Sequence, residues 1–411
     1  MQFTELQLNA SLLKAIAEER FQTPTQVQEQ AIPPILAKKN VIVSAQTGTG
    51  KTAAFALPIL QLLLDRQAPE KKPKRIKSLI VTPTRELCLQ IEANFKSYAK
   101  HTDLTTTAVY GGVSLAPQKE ILKDGVDILI ATPGRLIDLH KQGAIDLRAI
   151  EIFVLDEADL MLDMGFINDV TTIESLCPRK KQSLLFSATI PDKIVALSET
   201  MIKNPITIKI NPAETTAKTI GQLLYYSPKK NKTDLCLHLL RNTINGKIII
   251  FRRTRIGVDK LEETLSKNGY KVTSIHGEKT QIIRNKAIED FKNKKATILI
   301  ATDVAARGID INNVDAIINF DIPNIPETYI HRIGRTGRAG KSGIAFSFCS
   351  PDEDTYIKTI EELLQRPIKV ITDHPYPRVQ PKKQKKQPNT ISKHKKGRKS
   401  EASKKKKKRW Y

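Results

Sequence analysis

Residues 41–52 have the sequence VIVSAQTGTGKT, in which an apolar run of strand length leads into a glycine-rich loop. A pattern typical of a helix begins at Lys51, so the loop joins a strand to a helix N-terminus. Glycines allow several backbone N–H groups to point at one anion, and a helix N-terminus favours negative charge. Lys51 can neutralise the β- and γ-phosphates of a nucleotide, and the Thr52 hydroxyl can bind Mg²⁺. The stretch therefore predicts a nucleotide phosphate site, with a chance turn rich in Gly and Thr as the alternative.

Further apolar runs of strand length alternate with helical patterns along the chain. They lie at 78–82, 107–110, 127–132, 152–156 and 183–188 in the first half, and at 247–251, 271–275, 297–301, 316–320 and 344–348 in the second. The helical patterns between them include 51–64, 86–99, 256–267 and 283–292. Because such runs are apolar on both faces and alternate with helices, they predict an α/β fold of mostly parallel sheets covered on both sides.

A polar stretch without periodicity, NPAETTAKT at 211–219, divides the two sets of runs. It contains a proline and predicts a linker between domains. We therefore predict two α/β domains, at 1–210 and 220–372. The ligand cleft of such domains lies at the carboxyl ends of the strands.

The charge of the chain is concentrated at its end. The whole sequence has 67 Lys and Arg against 43 Asp and Glu, a net charge of +24, and residues 374–411 hold sixteen of the basic residues but a single acid, Glu401. We predict residues 373–411 to be a disordered tail, because this composition cannot bury an apolar core. A mobile polycation binds nucleic acid without regard to sequence. An anionic membrane surface is the competing partner, but no apolar stripe accompanies the charges, so no membrane binding is expected.

The four cysteines are far apart in the sequence and form no C-x-x-C pair. We interpret them as buried, reduced thiols, which fits a reducing compartment. The N-terminal residues lack the features of a signal peptide, and no apolar run reaches the roughly 20 residues that span a bilayer. A cytoplasmic protein is therefore expected.

An acidic motif follows one of the strand-length runs. The run IFVLD at 152–156 ends in Asp156 and continues with Glu157, Ala158 and Asp159. Asp156 is placed to hold Mg²⁺ through water, and Glu157 to orient or deprotonate an attacking water. An acidic helix N-cap is the alternative, since negative charge stabilises a helix N-terminus. Together with the phosphate loop, the motif predicts in-line hydrolysis of the γ-phosphate of a nucleotide.

These two motifs, with others in the same order, resemble those of the DEAD-box ATP-dependent RNA helicases of superfamily 2, most of all the bacterial RhlE-like group. In the first half the motifs are FQTPTQVQ (21–28), AQTGTGKT (45–52), PTRELCLQ (83–90), GG (111–112), TPGR (132–135), DEAD (156–159) and SAT (187–189). In the second half they are IIIFRRT (248–254), HGEKTQIIR (276–284), ATDVAARGID (301–310) and HRIGRTGR (331–338). The resemblance covers everything except the tail. One position departs from it, because Arg20 stands where the family usually has glycine.

The resemblance implies two tandem RecA-like domains with ATP and Mg²⁺ bound between them. The ATP-binding residues that it implies are Phe21, Gln28, Ala45, Gln46, Thr47, Gly48, Thr49, Gly50, Lys51, Thr52 and Asp310. The catalytic residues are Lys51, Asp156, Glu157 and the arginine fingers Arg335 and Arg338, the coupling residues are Ser187, Thr189 and His331, and the metal ligands are Thr52 and, through water, Asp156. The aromatic ring of Phe21 suits stacking on the face of adenine, and the carboxamide of Gln28 suits hydrogen bonds to its edge. Surface cations on a helix are the alternative interpretation of the two arginines.

The resemblance also implies that RNA crosses both domains on the side away from ATP. The implied RNA-binding residues are Thr84, Arg85, Gly112, Thr132, Gly134 and Arg135 in the first domain, and Arg253, Thr254, Gln281, Arg284, Thr302, Asp303, Arg307 and Gly308 in the second. Hydroxyls, glycines and arginines suit phosphate and sugar rather than base edges, so the binding is expected to be independent of sequence.

The leading functional hypothesis is an ATP-dependent RNA helicase that opens short duplexes locally and remodels RNA–protein complexes, in ribosome assembly or RNA turnover. An ATP-gated RNA clamp or assembly scaffold is the second hypothesis. A duplex-DNA translocase of the same superfamily is the third, and the motifs at 21–28 and 156–159 argue against it. A monomer is expected, with ribosomal-precursor or RNA-degradation complexes as candidate partners.

Overall fold

The computed structural model describes residues 1–46, 48–66, 74–210, 220–306, 311, 314–337 and 343–378. Residues Met1–Arg378 form one compact unit. Several predictions lie outside the described residues: the linker at 211–219, the site residues Thr47, Arg307, Gly308, Asp310 and Arg338, and the tail from residue 379 onwards.

The first domain is built on a sheet of seven strands within the described part of the chain. These strands are β1 (Val41–Ser44), β2 (Ser78–Val81), β3 (Thr106–Val109), β4 (Ile128–Ala131), β5 (Ile152–Asp156), β6 (Gln182–Ser187) and β7 (Ile206–Lys209). They pair in the order β3-β4-β2-β5-β6-β1-β7, and the pairs are parallel.

The second domain repeats this arrangement. Among the described residues its strands are β8 (Ile220–Tyr226), β9 (Ile248–Phe251), β10 (Val272–Ile275), β11 (Ile298–Ala301), β12 (Ala316–Asn319), β13 (Gly343–Cys349) and β14 (Lys369–Val370). They pair in parallel in the order β10-β11-β9-β12-β13-β8-β14. Counted from its first strand, the second sheet therefore has the same strand order as the first. The predicted fold class, two tandem RecA-like domains with mostly parallel sheets, is confirmed.

Helices connect the strands in both domains. Those of the first domain are α1 (Ala10–Glu18), α2 (Gln26–Leu36), α3 (Lys51–Leu64), α4 (Arg85–Tyr98), α5 (Ala116–Lys123), α6 (Pro133–Lys141), α7 (Ala158–Asp163), α8 (Ile167–Leu176) and α9 (Asp192–Met201). Those of the second are α10 (Lys232–Asn242), α11 (Arg255–Lys267), α12 (Gln281–Lys292), α13 (Asp303–Ala306), α14 (Pro326–Ile333) and α15 (Asp354–Leu364). Short 3₁₀ helices lie at Phe3–Leu6, Lys229–Asn231 and Pro351–Glu353.

Each sheet is buried on both faces because its strands are apolar on both faces. In β1, for example, Val41 and Val43 belong to the core on one face and Ile42 to the core on the other. This is the alternation that the pleat of a strand imposes. The four cysteines are buried and unpaired, as expected. Within the described ranges, no helix is long and apolar enough to cross a bilayer.

The structure differs from the predicted elements at three strands and at the start of the tail. Strands β7, β8 and β14 were not predicted; β7 is largely exposed and β14 has two residues. Residues 374–378, predicted to be part of the disordered tail, instead pack on the second domain. His374 lies 5.4 Å from the ring of Tyr225, and Arg378 forms an ion pair with Asp354. Aromatic and charge contacts of this kind anchor a segment whose composition alone suggests disorder.

The backbone at Arg20, where the chain leaves α1, has a φ of 60°. In this left-handed region a side chain costs about 1 kcal/mol, and glycine avoids that cost. We expect Arg20→Gly to raise the free energy of unfolding by about 0.5 to 1 kcal/mol, measured by urea denaturation. Arg20→Ala is the matched control, since it removes the same charge but keeps the strained backbone. An equal gain in both variants would contradict the backbone explanation.

Candidate active site and nucleic-acid interface

The phosphate loop is shaped by two glycines and by a contact with α2. Gly48 has a φ of 83° and Gly50 a φ of 94°, values that favour glycine. A Cβ atom at Gly50 would lie 2.5 Å from Nε2 of Gln28. That amide nitrogen donates a hydrogen bond to the carbonyl oxygen of Gly50 at 3.2 Å. The segment predicted to recognise adenine is therefore joined directly to the predicted phosphate loop.

The two adenine candidates already have protein partners. Oε1 of the buried Gln28 accepts a hydrogen bond from the backbone N–H of Thr25 at 2.9 Å, which begins α2 with a capping box. The ring of Phe21 lies 6.2 Å from that of Phe3 and 6.1 Å from that of Tyr98. Gln28 thus fixes the start of α2 as well as the loop. Its contact with adenine stays a prediction.

The predicted catalytic carboxylates lie against the loop lysine. Nζ of Lys51 donates to Oε1 of Glu157 at 2.9 Å, and both side chains are buried. Burial alone would lower the pKa of Lys51, but Glu157, Asp156 and Asp159 outweigh it and raise that pKa. Lys51 is therefore held as a cation in the position where the loop can bring it to a phosphate.

Asp156 is the least satisfied group of the site. It is buried, and its Oδ1 atom has no hydrogen-bond partner within the described residues. Burial raises the pKa of Asp156 to about 7, with the Glu157 carboxylate adding to the shift and Lys51 opposing it. A divalent cation would reverse that shift and give the orphaned oxygen a partner. The residue therefore fits the predicted role of holding Mg²⁺.

The protein offers few ligands to such an ion. Within the described ranges, no three His, Cys, Asp or Glu side chains are arranged to hold a metal. Mg²⁺ in phosphate chemistry is usually held by one or two protein groups together with phosphate oxygens and water. The combination of Thr52 and Asp156 agrees with that mode of binding.

Glu157 has a strained backbone. Its φ is 56° and its ψ is 50°, the left-handed conformation, at the N-cap of α7. A non-glycine residue in this region costs about 1 to 3 kcal/mol and persists only where its surroundings impose it. The conformation turns the chain sharply after β5, between the positions of Asp156 and Asp159. No sequence pattern signals it.

The predicted coupling residues form one network with the last residue of the acidic motif. Oδ2 of Asp159 accepts hydrogen bonds from the backbone N–H and the hydroxyl of Thr189, each at 3.0 Å. The backbone N–H of Asp159 donates to Oγ of Ser187. Burial would raise the pKa of Asp159, but His331 and Lys51, with the two hydroxyls, outweigh it and lower the pKa. His331 lies on α14 of the second domain, so the network reaches across the interface between the domains.

Of the two predicted arginine fingers, Arg335 is described. It is buried and lines a small cavity together with His331, Arg332 and Asp303. Arg335 therefore lies close to His331, the residue of the second domain whose charge lowers the pKa of Asp159.

The RNA candidates of the first domain follow β2, β3 and β4. The guanidinium of Arg85 lies 4.5 Å from the centre of the Tyr110 ring. Arg135 donates from one nitrogen to the carbonyl of Val113 at 2.8 Å, while its Nε and its other terminal nitrogen have no partner among the described residues. Such unsatisfied guanidinium nitrogens suit a phosphate, which can accept several hydrogen bonds.

The other candidates of this domain are small residues. Nothing lies within 4 Å of a Cβ atom built on Gly112 or Gly134, so the surface there is open. The hydroxyls of Thr84 and Thr132 already accept hydrogen bonds from the backbone N–H groups of Leu87 and Gly111, each at 3.3 Å. The two threonines therefore fix the local backbone.

The RNA candidates of the second domain follow β9, β10 and β11. Arg253 is exposed, and the hydroxyl of Thr254 caps α11 by accepting from the backbone N–H of Gly257. Thr302 is buried. Both carboxylate oxygens of Asp303 accept from Arg332, at 2.6 and 2.8 Å. An unpaired carboxylate would repel a phosphate. The pairing with Arg332 neutralises the Asp303 carboxylate and so removes that repulsion.

Glu86 is a residue to which the sequence assigned no role. Its Oε1 atom accepts from Nε2 of Gln281 at 2.6 Å and lies 3.1 Å from a terminal nitrogen of Arg284. It therefore joins the RNA candidates of the two domains. A glutamate in the first turn of a helix usually indicates only a favourable interaction with the helix dipole, so its long-range partners leave no local signal.

The ATP and RNA candidates occupy different parts of the same sheet edge. In the first domain the phosphate loop follows β1, the catalytic candidates Asp156 and Glu157 lie at the end of β5, and the coupling candidates Ser187 and Thr189 lie at the end of β6. The RNA candidates follow the neighbouring strands β3, β4 and β2. In the second sheet the RNA candidates follow β10, β11 and β9, which hold the same three places in the strand order.

Comparison with known proteins shows the family to which the chain belongs. Residues 25–197 match the DEAD/DEAH box helicase family, and residues 231–340 match the helicase conserved C-terminal domain. RhpA, a DEAD-box ATP-dependent RNA helicase of Helicobacter pylori, is 43% identical over 351 residues, which are 85% of this chain and 70% of RhpA. The chain belongs to the DEAD-box helicase family. It is an ATP-dependent RNA helicase.

Two further similarities extend the comparison. The ATP-dependent RNA helicase SrmB of Escherichia coli is 42% identical over 369 residues, covering 89% of this chain and 83% of SrmB. The structure of S. cerevisiae Dbp5 bound to RNA and ADP BeF3 matches with a TM-score of 0.81 and 32% identity, over 90% of this chain and 95% of Dbp5. The finer resemblance to the RhlE-like group stays a prediction.

We expect Lys51→Ala to weaken nucleotide binding by on the order of 10- to 100-fold, because it removes charge-assisted contacts to phosphate. Titration with a fluorescent ATP analogue measures the affinity. Lys193→Ala is the control, since Lys193 is an exposed lysine of α9 in the same domain. Unchanged affinity in Lys51→Ala would contradict the assignment of the phosphate loop.

Proposed function

We propose that the protein closes its two domains on ATP and one RNA strand, opens short duplexes locally, and releases the strand after hydrolysis. The observation that carries this proposal is the repeated position of the RNA candidates. They follow equivalent strands of both sheets and are joined through Glu86, Gln281 and Arg284. A strand bound along this edge would contact both domains at once, so closure would act on it directly.

The proposed chemistry is in-line attack of water on the γ-phosphate. Glu157 orients or deprotonates the water, while Lys51 moves from its ion pair with Glu157 to the β- and γ-phosphates. Mg²⁺, held by Thr52 and through water by Asp156, would supply charge neutralisation at the phosphates. Arg335 and Arg338 approach from the second domain and stabilise the charge that develops during transfer.

The proposed coupling between hydrolysis and RNA runs through Asp159. Its carboxylate bonds to Thr189 in the first domain and interacts with His331 of the second. Ser187 ends β6 and Thr189 follows it, and β6 lies between β5 and β1 in the sheet. A shift of the acidic motif on loss of the γ-phosphate would therefore be transmitted to the interface between the domains.

The proposed RNA surface recognises the backbone rather than the bases. Arg85, Arg135 and Arg284 each have a buried Nε atom without a partner among the described residues. These groups suit phosphate oxygens, which carry no sequence information. The similar structure of S. cerevisiae Dbp5, bound to RNA and ADP BeF3, supports RNA and nucleotide as joint ligands of this fold.

Strand displacement distinguishes the helicase from an RNA clamp. We expect release of a labelled strand from a short duplex with ATP, and little release from a long duplex, because opening is local. Glu157→Gln should bind ATP and RNA but hydrolyse ATP about 10²- to 10⁴-fold more slowly, the usual contribution of a general base. Strand release is measured with the labelled duplex, and the rate of ATP hydrolysis with a coupled ATPase assay in the presence of the same duplex.

Three outcomes would contradict these expectations. Stable retention of RNA without displacement during turnover would favour the clamp. Normal turnover in Glu157→Gln would remove Glu157 as the base. Equal stimulation of the ATPase by DNA and RNA would instead favour a duplex-DNA translocase.

We propose that the basic tail adds unspecific RNA affinity. Deleting residues 379–411 leaves the anchored segment 374–378 in place, and it should weaken RNA binding and flatten its salt dependence. Each lost phosphate contact reduces the logarithmic salt slope by about 0.7 on a single strand. Fluorescence anisotropy at several salt concentrations measures this slope. ATPase activity without RNA is the control and should persist, whereas an unchanged slope would show that the tail is not an RNA anchor.

The cellular setting belongs to the same proposal. We propose a cytoplasmic monomer that acts in ribosome assembly or RNA turnover. Crosslinking the protein to RNA in cells and sequencing the bound RNA tests the role in ribosome assembly or RNA turnover. Recovery of neither ribosomal precursors nor messenger RNA would contradict it.

A further inference from the structure

The second domain contains a lysine in the place that Lys51 has in the first. Lys51 is the first residue of α3, the helix that follows β1, and Lys232 is the first residue of α10, the helix that follows β8. Strands β1 and β8 hold the same place in the two sheet orders. By position, Lys232 is therefore the counterpart of the phosphate-loop lysine.

Lys232 has no room for a phosphate. Its side chain is 1% exposed, and its Nζ atom donates to the carbonyl oxygen of Phe320 at 2.9 Å and to Oε2 of Glu353. The carboxylate of Glu353 is 3% exposed and takes the place beside the lysine that an anion would need. A lysine bound in this way is a fixed structural cation rather than a ligand for nucleotide.

Glu353 in turn joins four loops at the carboxyl edge of the sheet. Its Oε2 atom accepts from the backbone N–H of Ser350 at 3.0 Å and from the Ser350 hydroxyl at 2.8 Å. Its Oε1 atom accepts from the backbone N–H of Ile322 at 3.0 Å and from a terminal nitrogen of Arg253 at 3.2 Å. With Lys232, these partners come from the segments that follow β8, β9, β12 and β13.

Among the partners of Glu353 in the described part of the chain, Arg253 is the one that reaches the surface. The terminal nitrogen that contacts Glu353 also donates to the carbonyl oxygen of Ile322 at 2.7 Å. The guanidinium carbon lies 5.4 Å from the centre of the Tyr356 ring. The side chain of Arg253 is nevertheless 44% exposed. One end of the guanidinium is thus fixed, while the remainder faces the edge where the RNA candidates lie.

We infer that Glu353, held by Lys232, is a positioning residue that fixes the guanidinium of Arg253 for an RNA phosphate. An arginine held in advance loses less side-chain entropy when it binds than a free one. Lys232 neutralises the carboxylate, so the positive charge of Arg253 stays available to the RNA. The inference rests on the proposed function, because it assumes that Arg253 contacts RNA.

A double-mutant cycle between Glu353 and Arg253 tests the inference in the full-length protein. Glu353→Gln keeps the shape of the side chain but loses its charge. We expect it to raise the RNA concentration for half-maximal ATPase by about three- to tenfold, the effect of releasing one held side chain. The ATPase rate at saturating RNA should be unchanged. In an Arg253→Gln background, Glu353→Gln should have no further effect, because the group that it positions is gone.

A second variant guards against loss of folding at the buried pair. Tyr356→Leu removes the ring beside the Arg253 guanidinium and leaves Lys232 and Glu353 unchanged. It should raise the RNA concentration for half-maximal ATPase only when Arg253 is present. Glu362→Gln removes one negative charge from an exposed position of α15, and it should leave RNA binding unchanged. Thermal unfolding shows which variants are folded.

The possible failures are distinguishable. If Arg253→Gln leaves RNA binding unchanged, the assignment of Arg253 to RNA is wrong, and the proposed RNA surface loses that residue. If Arg253→Gln weakens binding but neither Glu353→Gln nor Tyr356→Leu does, the positioning role is wrong and the RNA surface stands. If Glu353→Gln weakens binding equally with and without Arg253, Glu353 acts on another part of the domain.

Discussion

Parallel pairing is the constraint on which the remaining structure depends. Within the described residues, the strands of each sheet run in one direction, so their following loops all lie at one edge. Residues as distant in sequence as Lys51, Asp156 and Ser187 meet there because β1, β5 and β6 are close in the strand order. The same rule brings the loops after β2, β3 and β4 together beside them. One sheet edge thus brings together the residues of two candidate sites, although the segments that carry them are far apart in the sequence.

Most of the strands and the phosphate loop could be predicted from the sequence, because the signals for them are local. Each strand-length run is contiguous, and a glycine-rich loop between a strand and a helix has a small set of conformations. The missed strands β7 and β14 lie at sheet edges, where little burial is required and the apolar pattern is weak. The missed partners of Glu86, and the missed partners Lys232 and Arg253 of Glu353, belong to other segments of the chain. Such pairs are specified by the fold as a whole, and no window of sequence contains both members.

The structure also shows intramolecular contacts for several residues that the motifs identify. Thr84, Thr132 and Thr254 cap or brace the backbone with their hydroxyls, and Asp303 is paired with Arg332. These positions shape the surface that the arginines and glycines present. A motif therefore mixes residues that touch a ligand with residues that hold those groups in place. Sequence spacing does not separate the two kinds, whereas hydrogen-bond partners do.

The two equivalent lysines show how the same place in the fold differs between the two domains. Lys232 is saturated, since its carboxylate partner is itself satisfied by backbone and side-chain donors. Lys51 is paired to Glu157, whose backbone is strained, beside Asp156 with an orphaned oxygen. A buried charge that is fully satisfied gains nothing from a ligand, whereas a buried group that lacks a partner gains a large interaction energy when one binds. The same fold therefore leaves a polar atom unsatisfied beside the predicted phosphate loop, whereas the buried lysine in the equivalent place of the second domain is fully paired.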